Sequence, residues 1–241
     1  MKQVLLALLI GLGVFGAVYP AVAAEEPYDE AKAIVAVTAA ADAGDAEAQY
    51  LIGNFLTENR KDDAKVVRGA AYFEMAAKQG HVLAMHSLAN LIRHGYVPGK
   101  TPTDAFRWLL KSADAGLAGS QNNLGDMYET GDGVQKSYGD AVHWYTRSAM
   151  QGEPTAYLSL GDCYMQGHGV HRNEVEAYRW FVLAVKNFKN APNNRAKAAR
   201  AMKELEQTMT PTQIADGLKL ADQFVPLKQT ANTMTDSLGD K

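Results

Sequence analysis

An all-α fold, a right-handed α-solenoid of antiparallel helix pairs, is what the sequence predicts, and three recurrences carry the prediction. Trp108, Trp144 and Trp180 stand 36 residues apart. Gly44, Gly80, Gly116 and Gly152 keep the same step, and so does the column Gly53, Ala89, Gly125, Gly161. A fixed period in this range marks an array of supersecondary units, each stacking only on its neighbours. Such an array offers an extended surface more readily than a closed catalytic cleft, so recognition is the leading functional expectation.

The first two dozen residues stand apart from the array. Lys2 precedes an uncharged run from Val4 to Val18, then Pro20 and Ala21-Val22-Ala23-Ala24. A positive start, an apolar core and a small-residue site describe a secretory signal peptide over residues 1–24, cleaved after Ala23 or Ala24. The competing reading is a retained membrane anchor, for which the run is short, since a bilayer span takes about 20 residues. No cysteine lies near the site, which excludes lipid attachment there. The expected destination is the periplasm or the exterior, without membrane insertion once the signal is removed. Residues 28–43 then align with the second helix of a unit, and read as an N-terminal capping half-repeat.

Four units follow, 44–79, 80–115, 116–151 and 152–188, and the third shows the plan. From Ala118 to Thr130, Gln121, Leu124, Gly125, Met127 and Tyr128 recur at spacings of three and four, the mark of a helix with one apolar face. Gly131-Asp132-Gly133-Val134 ends it, because glycine enters the left-handed conformation that closes a helix. Ser137 restarts the chain as an N-cap, with Asp140 three residues on, close to a capping box. Ala141, Trp144, Tyr145 and Ala149 make the second apolar stripe, and Gly152 stops it. In the second unit Thr101-Pro102-Thr103-Asp104 supplies a cap, a proline at the first helical position and an acid in the first turn. Asn173 and Glu176 fill the same places in the fourth. The small residues at 53, 89, 125 and 161 let the helices of a pair approach. Tyr72, Trp108, Trp144 and Trp180 are expected to fill the space between layers.

The pattern LG-x-x-Y-x-x-G-x-GV followed by A-x-x-W resembles the Sel1-like repeat, a relative of the tetratricopeptide repeat. It stands here as Leu124-Gly125, Tyr128, Gly131, Gly133-Val134, Ala141, Trp144, and again as Leu160-Gly161, Tyr164, Gly167, Gly169-Val170, Ala177, Trp180. The second unit matches in part, through Leu88-Ala89, Ile92, Gly95 and Trp108, with Pro98 where valine is expected. The first departs most: Ile52-Gly53 is present, Asn59 to Lys65 lacks the glycine turn, and Tyr72 replaces tryptophan. The resemblance implies an exported bacterial member whose inner, concave wall holds peptides or partner domains.

Beyond Phe188, Asn190-Ala191-Pro192-Asn193-Asn194 breaks the pattern. Two C-terminal capping helices are expected over 193–225, the second opened by the capping box Thr210-Pro211-Thr212-Gln213. Residues 228–241 read as a polar, disordered tail. The whole amounts to about eleven helices, with atypical terminal units as solenoids require.

Composition closes several doors. The net charge of −3 becomes −4 when Lys2 is removed, and no basic stripe tracks phosphates, so nucleic acid is not an expected partner. The single cysteine, Cys163, permits no internal disulfide. Related exported proteins use paired cysteines, and some have been described as penicillin-binding or β-lactamase-like; that pairing is missing here. Cys163 shares a column with Phe55, Leu91 and Met127, which predicts a buried core thiol. His168 and His171 are two ring ligands without the third or fourth that zinc demands, and read as loop residues. No zincin, phosphate-loop or nucleophile-elbow motif occurs, and the G-x-G of the repeats is helix punctuation, so neither a cofactor nor catalysis is expected.

The candidate site is a surface column. The residue after the small-residue pair on each first helix is Asn54, Asn90, Asp126 and Asp162, one step of about 100° round from the packed face. One turn earlier lie Tyr50, His86, Asn122 and Leu158, and later Thr57, Arg93, Glu129 and Met165. The partner-binding candidates are Asn54, Asn90, Asp126, Asp162, His86, Asn122, Arg93 and Glu129, an amide and carboxylate ladder able to hold an extended backbone. The alternative is that these groups solvate the surface or tie neighbouring repeats together. The functional expectation is an exported scaffold or adaptor binding another protein on its concave face. A regulator of a sensor kinase or an envelope assembly factor is the alternative, and a cell-wall or β-lactam hydrolase a distant third.

Overall fold

The computed structural model describes residues 30–58 and 60–227, and every regular element among them is a helix. The expected signal segment and the tail from residue 228 lie outside the described residues. The chain divides into two compact units, Met1–Ala76 and Ala77–Lys241.

In the first unit α1 (Glu30–Asp42) packs on α2 (Ala46–Thr57), and α3 (Asp63–Lys78) begins. Gly44, at φ 104°, turns the chain, and Asp45 caps α2 by accepting from the Ala48 N–H at 2.7 Å. The Tyr72 hydroxyl donates to Asp42 Oδ1 at 2.7 Å, and Gln49 Nε2 to the Ala41 carbonyl at 3.0 Å, so α1 is tied from both sides. The link from α2 to α3 has no left-handed glycine among the described residues. The α2 C-cap, Glu58, keeps right-handed backbone at φ −60°.

The second unit stacks helix pairs in chain order. α4 (Val82–Arg93) pairs with α5 (Pro102–Asp114), α6 (Ala118–Thr130) with α7 (Tyr138–Ala149), and α8 (Pro154–Gln166) with α9 (Glu174–Asn187). α5 lies on α6 and α7 on α8, while α10 (Pro192–Glu206) and α11 (Pro211–Gln223) both close against α9. The caps follow the sequence. Thr101 N–H donates to Asp104 Oδ2 at 2.9 Å, Asp140 N–H to Ser137 Oγ at 3.3 Å, and Glu176 N–H to Asn173 Oδ1 at 3.1 Å. Thr210 and Gln213 bond reciprocally at 2.8 and 3.3 Å. Each satisfies amide groups that a helix start leaves without partners.

The small-residue column has a sharper purpose than general closeness. A Cβ on Gly125 would stand 2.5 Å from Tyr145 Cδ1, and one on Gly161 would stand 2.5 Å from Phe181 Cε1. A Cβ on Gly53 would stand 2.6 Å from the Phe73 ring. The ring seated on each glycine is therefore the residue after the recurring tryptophan position, a column of Phe73, Leu109, Tyr145 and Phe181. Where that column holds the smaller Leu109, its counterpart is Ala89, and both are fully buried. Removing one such ring from water stabilises by roughly 1.5–3 kcal/mol. The tryptophans themselves sit nearer the margin: Trp108 is half-buried, and a cation lies over each ring, Lys111 at 4.8 Å, Arg147 at 4.6 Å and Arg179 at 4.4 Å.

The two glycines of each loop do different work. Gly131 and Gly167, at φ 81° and 77°, close α6 and α8 in the left-handed region. Gly133 is positioned so that any side chain would run into the Pro102 carbonyl, and Gly169 faces the Tyr138 carbonyl in the same way. The second glycine thus seats each loop on the start of the preceding unit's second helix, a close approach that only glycine allows.

Candidate functional site

Most ladder residues have partners within the protein. Asp126 is tucked under the Tyr145 hydroxyl, whose single proton is shared between Asp126 Oδ1 and Glu129 Oε2, both at 2.8 Å. Burial raises the Asp126 carboxyl above its ordinary value, opposed by the Tyr145 hydrogen bond and Arg93 and reinforced by Glu129. Burial, with Asp126 and Glu129 beside it, also pushes the Tyr145 hydroxyl far upward, so it remains a donor at any physiological pH. Asp162 accepts from Lys197 Nζ on α10 at 2.8 Å. Arg93 Nε lies 3.7 Å from Asp132 in the loop of the next unit, and Glu129 lies 3.9 Å from His168 Nδ1. Asn54, in the other compact unit, is exposed.

At the seam of α4, α5 and α6 these contacts join into one directed chain. Asn123 Nδ2 donates to Asn90 Oδ1 at 2.8 Å, and Asn90 Nδ2 meets His86 Nε2 at 2.9 Å. An amide nitrogen only donates, so Nε2 is the bare ring nitrogen and Nδ1 carries the proton to Ser120 Oγ, 2.8 Å away. Ser120 then reaches Ser112 at 2.7 Å, and Ser112 donates to the Val82 carbonyl at 3.1 Å. The chain is self-consistent only for neutral His86. Burial lowers the imidazole pKa below its ordinary value; Glu153 acts against this and Arg93 with it.

Asn122 stands beside this chain and differs from it. The residue is 7% exposed, and its Oδ1 has no hydrogen-bond partner among the described residues. A buried amide oxygen left bare costs about 1–3 kcal/mol, so this group calls for a donor. The ladder as drawn from sequence therefore splits into ties between elements (Asn90, His86, Arg93, Asp126, Glu129, Asp162), the exposed Asn54, and Asn122 with its bare oxygen. Three residues that sequence reading did not select, Ser112, Ser120 and Tyr145, hold the ties. Small hydroxyls inside an alanine-rich stripe look like helix filler until the partner helix is seen.

The remaining reactive groups are quiet. Cys163 is buried, and burial pushes its thiol up to about 12, with Glu129 and Asp162 adding to the effect. His168 stacks on Tyr138 at 4.3 Å between ring centres, and His171 is exposed. Among the described residues no group of three or more His, Cys, Asp and Glu is arranged to hold a metal ion. None of the described helices is long and apolar enough to cross a membrane.

The architecture defines an all-helical repeat protein, a stack of helix pairs with glycine-seated loops. The Sel1 repeat model matches residues 46–81, 82–117, 118–153 and 154–187, more than half of the chain, and the chain belongs to the Sel1 repeat family. The helical fold is shared with a Sel1 repeat protein from Oxalobacter formigenes (24% identity, 80% of this chain and 77% of the other, TM-score 0.64). It is shared too with a protective antigen of uropathogenic Escherichia coli strains that displays an SLR fold (22% identity, 92% of this chain, TM-score 0.55). This chain spans about half the length of that antigen, 51%. No curated protein matches the chain. Sel1 repeats are generally protein–protein interaction scaffolds and typically non-catalytic.

Proposed function

We propose that the protein is an exported interaction scaffold, and that the first-helix faces of its second unit receive an extended segment of another protein. The observation that carries this reading is the bare Oδ1 of buried Asn122, next in the chain to Asn123, whose amide continues the His86–Asn90 hydrogen-bond chain from α4 to α6. Where the helix face yields to the segment, a backbone N–H reaching Asn122 completes the one buried side-chain amide oxygen that lacks a donor among the described residues. Export rests on the sequence of residues 1–24, and N-terminal sequencing of the protein from a periplasmic fraction tests it. A start at Ala24 or Glu25 is expected; recovery of Met1 counts against cleavage.

Site-specific photocrosslinking in cells tests the binding face. A photoreactive residue at Arg93 should yield partner adducts, and one at exposed Lys219 on α11 should not. Asn122→Leu should reduce the adducts at least tenfold while leaving helicity unchanged, because Leu158 fills the equivalent place one unit on. Equal labelling at both positions would place the partner elsewhere.

A further inference from the structure

The last described residues fold back onto the repeats. After α11 the backbone turns extended at Phe224 (φ −76°, ψ 121°), and residues 224–227 lie on the fourth repeat as a strap. The Leu227 N–H donates to the Met150 carbonyl at 2.7 Å. Pro226 Cβ stands 3.5 Å from the point a Cβ on Gly152 would occupy. The Phe224 ring meets Tyr157 and Trp180 edge-on, with ring centres at 5.8 and 5.4 Å. The Arg179 guanidinium lies 4.4 Å from the Trp180 ring centre and 5.4 Å from that of Phe224.

Three features show that the strap does not complete its seat. Tyr157 occupies the column of Gln49 and Gln121, whose amides donate to carbonyls of the preceding helix, and supplies an aromatic wall instead. Two donors at the seat, Trp180 Nε1 and Arg179 Nε, are buried and have no hydrogen-bond partner among the described residues. Arg179 spends Nη1 on Glu176 Oε2 at 3.0 Å, which leaves Nε facing no acceptor. Finally, Val225 and Leu227 are 76% and 63% exposed, so the strap holds chiefly by one ring and one backbone bond.

We infer that the Phe224 seat is a docking site for an extended partner segment that pairs an aromatic residue with a carboxylate, and that residues 224–227 are the internal competitor such a segment displaces. The partner's ring takes the place of Phe224 against the stacked pair of Tyr157 and Trp180. Its carboxylate accepts from Arg179 Nε and Trp180 Nε1, a charge-assisted pairing the strap lacks. Its backbone N–H reuses the Met150 carbonyl. Tethering gives the strap an effective concentration of roughly millimolar, so the partner must win through the carboxylate. The site shares no residue with the ladder and does not rest on that reading.

Two labelled pentapeptides, Glu-Phe-Val-Pro-Leu and Gln-Phe-Val-Pro-Leu, read by fluorescence anisotropy on the full chain, test the inference. On Phe224→Ala the acidic peptide should bind at least tenfold tighter than the amide peptide, and at least tenfold tighter than it binds wild type. Adding Arg179→Gln should erase the preference. Hydrogen exchange on wild type keeps the test independent of any folding defect in the variant. The Leu227 amide should exchange faster than core amides of α9, and faster still with excess acidic peptide. Equal affinity for the two peptides, or Leu227 exchange only at the rate of the α9 core, would overturn the proposal. So would a wild-type dimer that Phe224→Ala dissociates, since a second copy's strap would then own the seat.

Discussion

Two seams built on the same 36-residue step are filled by opposite chemistry. Between α4, α5 and α6 the contact positions hold His86, Ser112 and Ser120, linked by hydrogen bonds of 2.7–2.8 Å. In the fourth unit the same columns hold Ala156, one step on from Ser120, and Leu158 and Ala184, two steps on from His86 and Ser112, all buried, and the neighbouring ring surface of Tyr157 and Trp180 receives Phe224. The backbone plan is indifferent to the choice. The consequence of the choice is not: a directed hydrogen-bond chain fixes one arrangement, whereas an aromatic seat accepts any ring of the right size.

The largest expected effect lies in what both seams share. Phe181→Ala should cost about 3–5 kcal/mol, as large-to-small changes in a fully packed core do, and denaturant unfolding reads it directly. Trp144→Ala, nearer the margin under Arg147, should cost clearly less. If the two losses are equal, the tryptophan rather than the following ring is the main filler of the pair.

Breaking the polar seam should come next. Ser120→Ala strands the His86 N–H and should cost about 1–3 kcal/mol. The triple change His86→Leu, Ser112→Ala, Ser120→Ala imports the residues of the fourth unit and should recover most of that loss. A triple variant weaker than the single one would mean that the hydrogen-bond chain stabilises beyond its packing equivalents.

A smaller effect separates the seams by pH. Burial holds the folded His86 pKa below that of the unfolded chain, near 6.5. The folded state therefore takes up its proton later than the unfolded state does. Stability should be full above pH 6.5 and decline as pH falls from 6.5 through the folded value. The triple variant should lose this component of the slope, a difference visible in melting temperature across that window.

How far the sequence carried these conclusions differs by element. Helices α6, α7 and α11 were legible from glycines, caps and spacing, because those signals are local: Gly131 must adopt positive φ, and Ser137 must serve the Asp140 amide. The ladder was legible only as a column. A one-step rotation off the packed face pointed Asp126 toward an open side, yet the second helix of its own pair reaches over with Tyr145. The strap was not legible at all. Phe224 reads as the end of a helix, and nothing local ties it to Tyr157, which lies far back in the chain.

The loop glycines bear on how such a chain changes length. Gly133 rests on the Pro102 carbonyl and Gly169 on that of Tyr138, so the third and fourth units each bring the plug for the socket before them, and the third also carries the socket for the fourth. A copied block of residues 116–151 would present its Gly133 to the Tyr138 of the original, a junction of the kind already made by Gly169. Duplication in frame is thereby a conservative event for this architecture: genes for such arrays can grow or shrink by whole modules without any new joint having to be invented.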